Sequence, residues 1–235
     1  MTEPTQLPSR EQIRDHLISK INNVLRRMSM YGGEGALVMV FDDLSFTEGL
    51  GTDWWERRRA IWQARGAFSP LGPKGAFQHL LPGDVESAVA SLYTEVAHIH
   101  GWLTLDRILT ANEYAALRSS LATWTSQDRT HTDVVDTYGQ PSILLGGTTP
   151  RYTKTIGYLT EHIDDPPVFF HLGNDAPPGS QATWPPPYNE AKLLAARCGA
   201  GPFHDSFTFT PHGQALRPEP HQARSASQRG EHPSS

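Results

Sequence analysis

Histidines and an aspartate near the C-terminal end of the sequence could support acid–base or hydrolytic chemistry. His171, His204 and Asp205 fall in two short segments that we expect to be neighbouring β-strands. A His/Asp pair can move a proton where the two side chains meet. The sequence has no GxSxG motif, the strand-to-helix turn that presents a serine nucleophile in many hydrolases. A hydrolase or small-molecule-modifying enzyme with a His/Asp site on the sheet is therefore the alternative interpretation.

The eleven histidines also raise the question of a metal site. Glu95 and His98 have Glu-x-x-His spacing, but a di-metal bundle site needs a second copy of that motif, and no second copy falls on a predicted helix. His98 and His100 would point about 200° apart on a helix. The glycine-rich segments match neither of the common phosphate-binding patterns. We predict no metal and no cofactor.

Four aromatic residues lie in segments where core packing alone does not require them: Trp55, Tyr152, Trp184 and Tyr188. Three prolines follow Trp184 directly and would hold it on a stiff, extended backbone. Exposed Trp and Tyr beside Pro-rich loops are typical of protein interfaces, where they supply large contact area at low entropic cost. Local packing is the other explanation. We predict that these four residues bind a partner protein.

The charge distribution limits the kinds of partner. The chain has 25 acidic and 20 basic residues, and residues 76–211 hold 14 acidic and 7 basic ones. This acidic central region argues against nucleic acid, because phosphate binding needs clustered Lys and Arg. No apolar run approaches the roughly 20 residues of a membrane span, and the first residues lack the features of a signal peptide. We expect a cytoplasmic protein that does not bind membranes, with its oligomeric state open.

The apolar pattern predicts an α+β fold in which a helical N-terminal half packs on a C-terminal antiparallel sheet of four or five strands. We expect one domain over residues 9–212, helical over 9–138 and sheet over 141–211, with disordered ends at 1–8 and 213–235. Capping boxes are predicted to open three helices, with pairs Ser9/Gln12, Asp53/Glu56 and Thr110/Glu113. Residues 66–77 and 175–189 are predicted loops, and residues 203–210 are predicted to be one alternating strand with its aromatic side on the helices.

Residues 139–174, GQPSILLGGTTPRYTKTIGYLTEHIDDPPVFFHLGN, contain a short helix end followed by three strand-like segments. This order resembles the small α+β immunity proteins of bacterial polymorphic toxin systems, most closely the Imm1-type family, which binds and neutralises deaminase-fold toxins. The match covers about a sixth of the chain, and the long helical N-terminal half departs from that family. No site residue is carried over. The 16 Arg against 4 Lys are also typical of proteins from GC-rich actinobacteria.

The resemblance and the aromatic segments together favour a non-enzymatic binding protein. The first hypothesis is an immunity protein that occludes the active site of a cognate protein toxin, using the acidic central region and the aromatic loops. The enzyme with His171, His204 and Asp205 is the second hypothesis. A scaffolding module without a single tight partner is the third.

Overall fold

The computed structural model describes residues 7–175 and 184–218, and these form the α+β fold that the sequence predicts. Seven α-helices precede five strands, and one more helix follows them. The helices are α1 (Arg10–Arg26), α2 (Gly33–Glu48), α3 (Trp54–Arg65), α4 (Gly72–Gln78), α5 (Glu86–Ile99), α6 (Ala111–Trp124), α7 (His131–Tyr138) and α8 (Pro211–Leu216). The strands are β1 (Ile143–Gly146), β2 (Lys154–Tyr158), β3 (Val168–Gly173), β4 (Lys192–Arg197) and β5 (Phe207–Phe209).

The sheet is an antiparallel meander in which spatial order follows chain order, β1-β2-β3-β4-β5. Side chains alternate between its faces. Ile143, Leu145 and Phe169 join the buried cluster of α1–α5, whereas Ile156 and Phe170 join the cluster of α6 and α7. The sheet is therefore the middle of three layers, and every residue of its central strand β3 is buried. The buried residues form two core clusters, one on each face of the sheet, and each cluster combines side chains from the helices and from the strands.

One buried ion pair joins the helical layer to the sheet. The Arg197 side chain in β4 is 1% exposed, and its guanidinium pairs with Glu95 of α5 and donates to Ser91 Oγ at 2.9 Å. The ring of Phe169 lies 4.9 Å from Arg197 Cζ. Arg65 approaches the second oxygen of Glu95 at 3.6 Å. Because a buried guanidinium without a carboxylate is costly, this contact fixes α5 against the sheet.

Two of the three predicted capping boxes are confirmed. The side chains of Ser9 and Thr110 accept from the backbone three residues later, with the reciprocal bonds from Gln12 and Glu113 also present. The prediction for Asp53 is wrong. Asp53 has φ −94° and ψ 3°, far from the extended conformation of a capping residue, and its carboxylate pairs with Arg57 instead.

Two further predictions about local structure need correction. The 66–77 segment is not all loop, since α4 begins at Gly72 with Pro73 in its first turn, a position where a missing N–H costs nothing. The predicted 203–210 strand is shorter: residues 204–206 form a 3₁₀ turn with Asp205 exposed, and only Phe207–Phe209 pair with β4. Phe207 still packs in the helical cluster, as expected for the aromatic side.

The ordered chain also continues beyond the predicted boundary at residue 212. Leu194 is an extra residue at the β3–β4 register shift, and its carbonyl accepts from the Thr210 backbone N–H at 3.1 Å. The Thr210 hydroxyl caps α8, accepting from the Gly213 N–H at 3.0 Å, and Leu216 is buried. Residues 1–6 and 219–235 of the predicted disordered ends lie outside the described residues. Within residues 7–175 and 184–218, no helix is long and apolar enough to cross a bilayer.

Candidate functional site

Three of the four predicted partner-binding residues lie at one end of the sheet. The β1–β2 loop carries Tyr152, and the connection from β3 to β4 carries Trp184 and Tyr188. Antiparallel pairing places these two connections side by side. The Trp184 and Tyr152 rings stack with centroids 5.8 Å apart and planes inclined by 19°. Trp184 nevertheless remains 82% exposed. We call Tyr152, Trp184 and Tyr188 the aromatic surface.

Hydrogen bonds from two polar side chains hold this surface together. Asn174, which is 6% exposed, donates from Nδ2 to the carbonyls of Arg151 and Tyr188 at 2.7 and 2.8 Å, and its Oδ1 accepts from the Tyr188 N–H at 2.9 Å. Arg151 in turn donates from Nη2 to the Pro186 carbonyl at 2.6 Å. The two connections are thus joined on both sides of Trp184. Residues 176–183 of the predicted 175–189 loop lie outside the described residues.

Tyr188 forms the second part of the surface, next to the start of β4. Lys192 Nζ lies 4.1 Å from its ring centroid, a cation–π contact. The His212 ring meets Tyr188 edge-on at 5.9 Å. Burial, then Lys192, lowers the pKa of His212, so this ring is neutral near pH 7. Lys192 is therefore the charged group presented beside Tyr188.

Two cationic side chains, Lys154 and Arg27, lie beneath the β1–β2 loop. Lys154 Nζ donates to the carbonyls of Gly147, at 2.8 Å, and Thr149. Burial, and secondarily the charge of Arg27, lowers the pKa of Lys154 to about 8. A Cβ placed on Gly147 would lie 3.8 Å from Arg27 Nη1 and 3.9 Å from Tyr152 Cβ. Arg27 therefore reaches the base of the aromatic surface from the end of α1.

Trp55 does not belong to this surface. Its ring is half-buried in the helical layer, stacked on Tyr93 with planes inclined by 13° and edge-on to Trp62 at 5.7 Å. Tyr93 donates its hydroxyl hydrogen to Glu34 at 2.7 Å. Local packing accounts for the position of Trp55.

The residues of the alternative enzymatic hypothesis differ in their environments. His171 is 2% exposed and lies between the rings of Phe77 and Phe207, whereas His204 and Asp205 are exposed. Burial lowers the pKa of His171 well below 6.5, so its ring is neutral. No hydrogen bond joins the three side chains within the described part of the chain.

The hydrogen bonds of His171 lead to α5. Thr155 donates to Ser87 Oγ at 3.3 Å and contacts His171 Nδ1 at 3.0 Å. The donor in the Thr155–His171 hydrogen bond is set by the tautomer of the imidazole. Nε2 has no hydrogen-bond partner among the described residues. The arrangement shields a neutral imidazole rather than presenting it to a substrate.

The pKa values of the two histidines considered for metal binding, His98 and His100, are lowered in the folded protein. Burial lowers the pKa of both His98 and His100, and for His100 the charge of Arg58 adds to this effect. Over residues 7–175 and 184–218, no group of three or more His, Cys, Asp or Glu side chains is arranged to hold a metal ion.

Sequence reasoning missed Asn174, Arg151 and Arg27. Asn174 has a local signal, since an Asn directly after a buried strand favours a side chain that bonds neighbouring backbone. Arg27 has none, because its place beside Tyr152 results from packing between residues that are 125 positions apart. Comparison of the chain with protein-family models, with curated proteins and with solved structures gives no match.

Proposed function

We propose that this chain is a non-enzymatic protein-binding module, an immunity protein that neutralises a cognate bacterial toxin in the cytoplasm by covering the toxin's active site. The observation that carries the proposal is Trp184, which is 82% exposed and yet held in place by the Tyr152 ring. The toxin itself is inferred from the resemblance of residues 139–174, and the binding role from the aromatic surface.

The geometry favours binding because the backbone around Trp184 and the Trp184 side chain are already ordered in the free protein. Asn174 and Arg151 fix the backbone on both sides of the aromatic surface. A partner therefore gains the apolar area of Trp184 without first immobilising it. Tryptophan and tyrosine are the residues most often responsible for the binding energy of protein interfaces.

A growth assay tests the immunity function. The polypeptide encoded directly upstream of this chain's gene is expressed in a bacterial host, alone and together with this chain. We expect growth arrest from the upstream polypeptide alone and restored growth on co-expression. An upstream polypeptide that does not arrest growth, or arrest that this chain leaves unchanged, contradicts the proposal.

The substitution Trp184→Ala tests the aromatic surface in the same system. Loss of an interface anchor costs about 2 kcal/mol, or about 30-fold in Kd, and thermal stability should be unchanged because the side chain is exposed. Phe46→Ala is the matched control, since Phe46 on α2 is 84% exposed and lies outside the aromatic surface. Calorimetric titration measures the Kd of both variants for the partner, and melting curves measure their thermal stability. Equal affinities for the two variants would show that Trp184 is not an anchor.

A further inference from the structure

The side chain of Lys154, the first residue of β2, is completely buried beneath the β1–β2 loop. Its Nζ donates to two backbone carbonyls of that loop, those of Gly147 and Thr149. The Thr149 carbonyl also accepts from the backbone N–H of Tyr152 at 3.2 Å. Lys154 therefore joins the sheet to the part of the loop that leads into the aromatic surface.

The buried nitrogen of Lys154 has no carboxylate beside it. Lys154 forms no salt bridge among residues 7–175 and 184–218. Residues 176–183, APPGSQAT, contain no acidic residue. Because a buried ammonium without a carboxylate is costly, burial at this position favours the neutral amine over the ammonium.

The groups that face Lys154 strengthen this preference. Arg27, at the end of α1, is the charged group that acts on Lys154, and it is a second cation. On α7, burial and then Lys154 lower the pKa of His131, so this ring is neutral near pH 7. Glu190 is directed at the beginning of α7 and acts on His131, and the partner of Lys154 in β3 is the apolar Leu172. The charge that acts on Lys154 is thus of the same sign as an ammonium.

The number of hydrogen-bond acceptors also fits a neutral amine. The carbonyls of Gly147 and Thr149 are the two acceptors that Nζ meets in the described part of the chain. A neutral amine has two N–H donors, whereas an ammonium has three. The arrangement therefore satisfies a neutral amine fully and an ammonium only in part.

We propose that Lys154 is a protonation switch for the β1–β2 loop, which closes on the neutral amine and opens more readily when the amine takes up a proton. The structure shows the closed form. In the open form the carbonyls of Gly147 and Thr149 move away, so that the ammonium meets water. Opening also frees the N–H of Tyr152, whose ring stacks on Trp184. The switch goes beyond the proposed function, since it controls how firmly the free chain holds the aromatic surface.

The direction of the pH effect follows from the difference between the two forms. In the closed form the pKa of Lys154 is lowered to about 8, and in the open form it returns to the ordinary value of 10.5. Between these values the open form still holds the proton that the closed form has lost, so rising pH favours the closed form. We expect the equilibrium constant for opening to fall about tenfold from pH 7 to pH 9 and to change little below pH 7.

Titration of the lysines is the first measurement. The chain has four lysines, at positions 20, 74, 154 and 192. Their side-chain resonances in protein labelled with ¹³C at the lysine Cε can therefore be assigned by single replacements. We expect the Lys154 resonance to titrate with a pKa of about 8. Titration at about 10 or above would overturn the proposal.

Amide hydrogen exchange of Tyr152 measures the opening itself, because its N–H is bonded to the Thr149 carbonyl in the closed form. Each exchange rate, measured by NMR, is divided by the rate of an unstructured peptide at the same pH, which removes the base catalysis of exchange. The corrected rate should fall about tenfold from pH 7 to pH 9. A corrected rate that stays constant or rises would refute the switch.

Lys154→Met and Lys20→Met form the matched pair of variants. Both remove one positive charge, and Lys20 is exposed on α1. Lys154→Met should abolish the pH dependence of the corrected Tyr152 rate, and Lys20→Met should retain it. Persistence of the pH dependence in Lys154→Met, or its loss in Lys20→Met, contradicts the assignment to Lys154.

Arg27→Met keeps the proposal testable even where Lys154→Met does not fold. Removal of the second cation should raise the pKa of Lys154 and reduce the change in the Tyr152 rate between pH 7 and pH 9. An unchanged Lys154 titration in this variant would refute the part played by Arg27. All of these measurements use the chain alone, so the switch can fail while growth rescue succeeds, and the reverse result rejects the immunity function alone.

Discussion

Replacement of Asn174 should destabilise the protein more than any other single polar substitution at the aromatic surface. The side chain is buried and makes three hydrogen bonds of 2.7, 2.8 and 2.9 Å. A hydrogen bond contributes about 1 kcal/mol net to the free energy of unfolding. Asn174→Ala should therefore lower the free energy of unfolding by about 3 kcal/mol, and the Arg151 carbonyl should lose a partner in the process.

Urea denaturation at 25 °C, followed by far-ultraviolet circular dichroism, measures this change. Asn112→Ala is the control, since Asn112 is exposed on α6 and its replacement by alanine should alter the unfolding free energy by less than about 0.5 kcal/mol. Asn174→Ala should also weaken partner binding, because Tyr188 and Trp184 are no longer held before the encounter. A loss of less than about 1 kcal/mol would refute the view that Asn174 joins the two connections.

Two further substitutions test the contacts between the helices and the sheet. The pKa of His171 is depressed in the folded state, so the unfolded state binds the proton first as pH falls, and stability present above pH 6.5 is lost below it. Urea titrations should show that stability falls from pH 7 to pH 5 by about 2 kcal/mol more in wild type than in His171→Gln, a difference in slope of about 1 kcal/mol per pH unit, and equal slopes would contradict this. Glu95→Gln should lower the unfolding free energy by about 3 kcal/mol because Arg197 then stays buried without its carboxylate, whereas Asp53→Asn, at the exposed pair with Arg57, should cost less than about 1 kcal/mol. Similar losses in these last two variants would show that burial does not decide the cost.

Local physics explains which elements could be predicted. The capping boxes at Ser9 and Thr110 involve residues three positions apart, so their geometry is present in the sequence itself. The same pattern at Asp53 failed because a nearby Arg57 offers the carboxylate a competing partner. The helix α8 had a usable signal, since Thr210 followed by Pro211 is a typical helix start.

The aromatic surface shows where sequence reasoning ends. That Trp184 would be exposed could be predicted from the proline-rich segment around it. That Tyr152 would stack on Trp184 depends on the pairing of β1 with β2 and of β3 with β4. Trp55, in contrast, is half-buried because its ring on α3 stacks on Tyr93. The spacing of residues in the sequence does not predict this contact.

The position of the sheet as the middle layer has a consequence for biosynthesis. The helices α1–α7 are all made before β1, and the apolar residues they later bury face a sheet that has not yet left the ribosome. Tyr114 of α6, for example, donates its hydroxyl hydrogen to the Pro166 carbonyl and packs with residues of β2 and β3, which are made later. The meander shortens that delay, because each strand pairs with the one just completed and needs no distant segment. A nascent chain that stalls before residue 143 would therefore expose unpaired helices to chaperones and proteases.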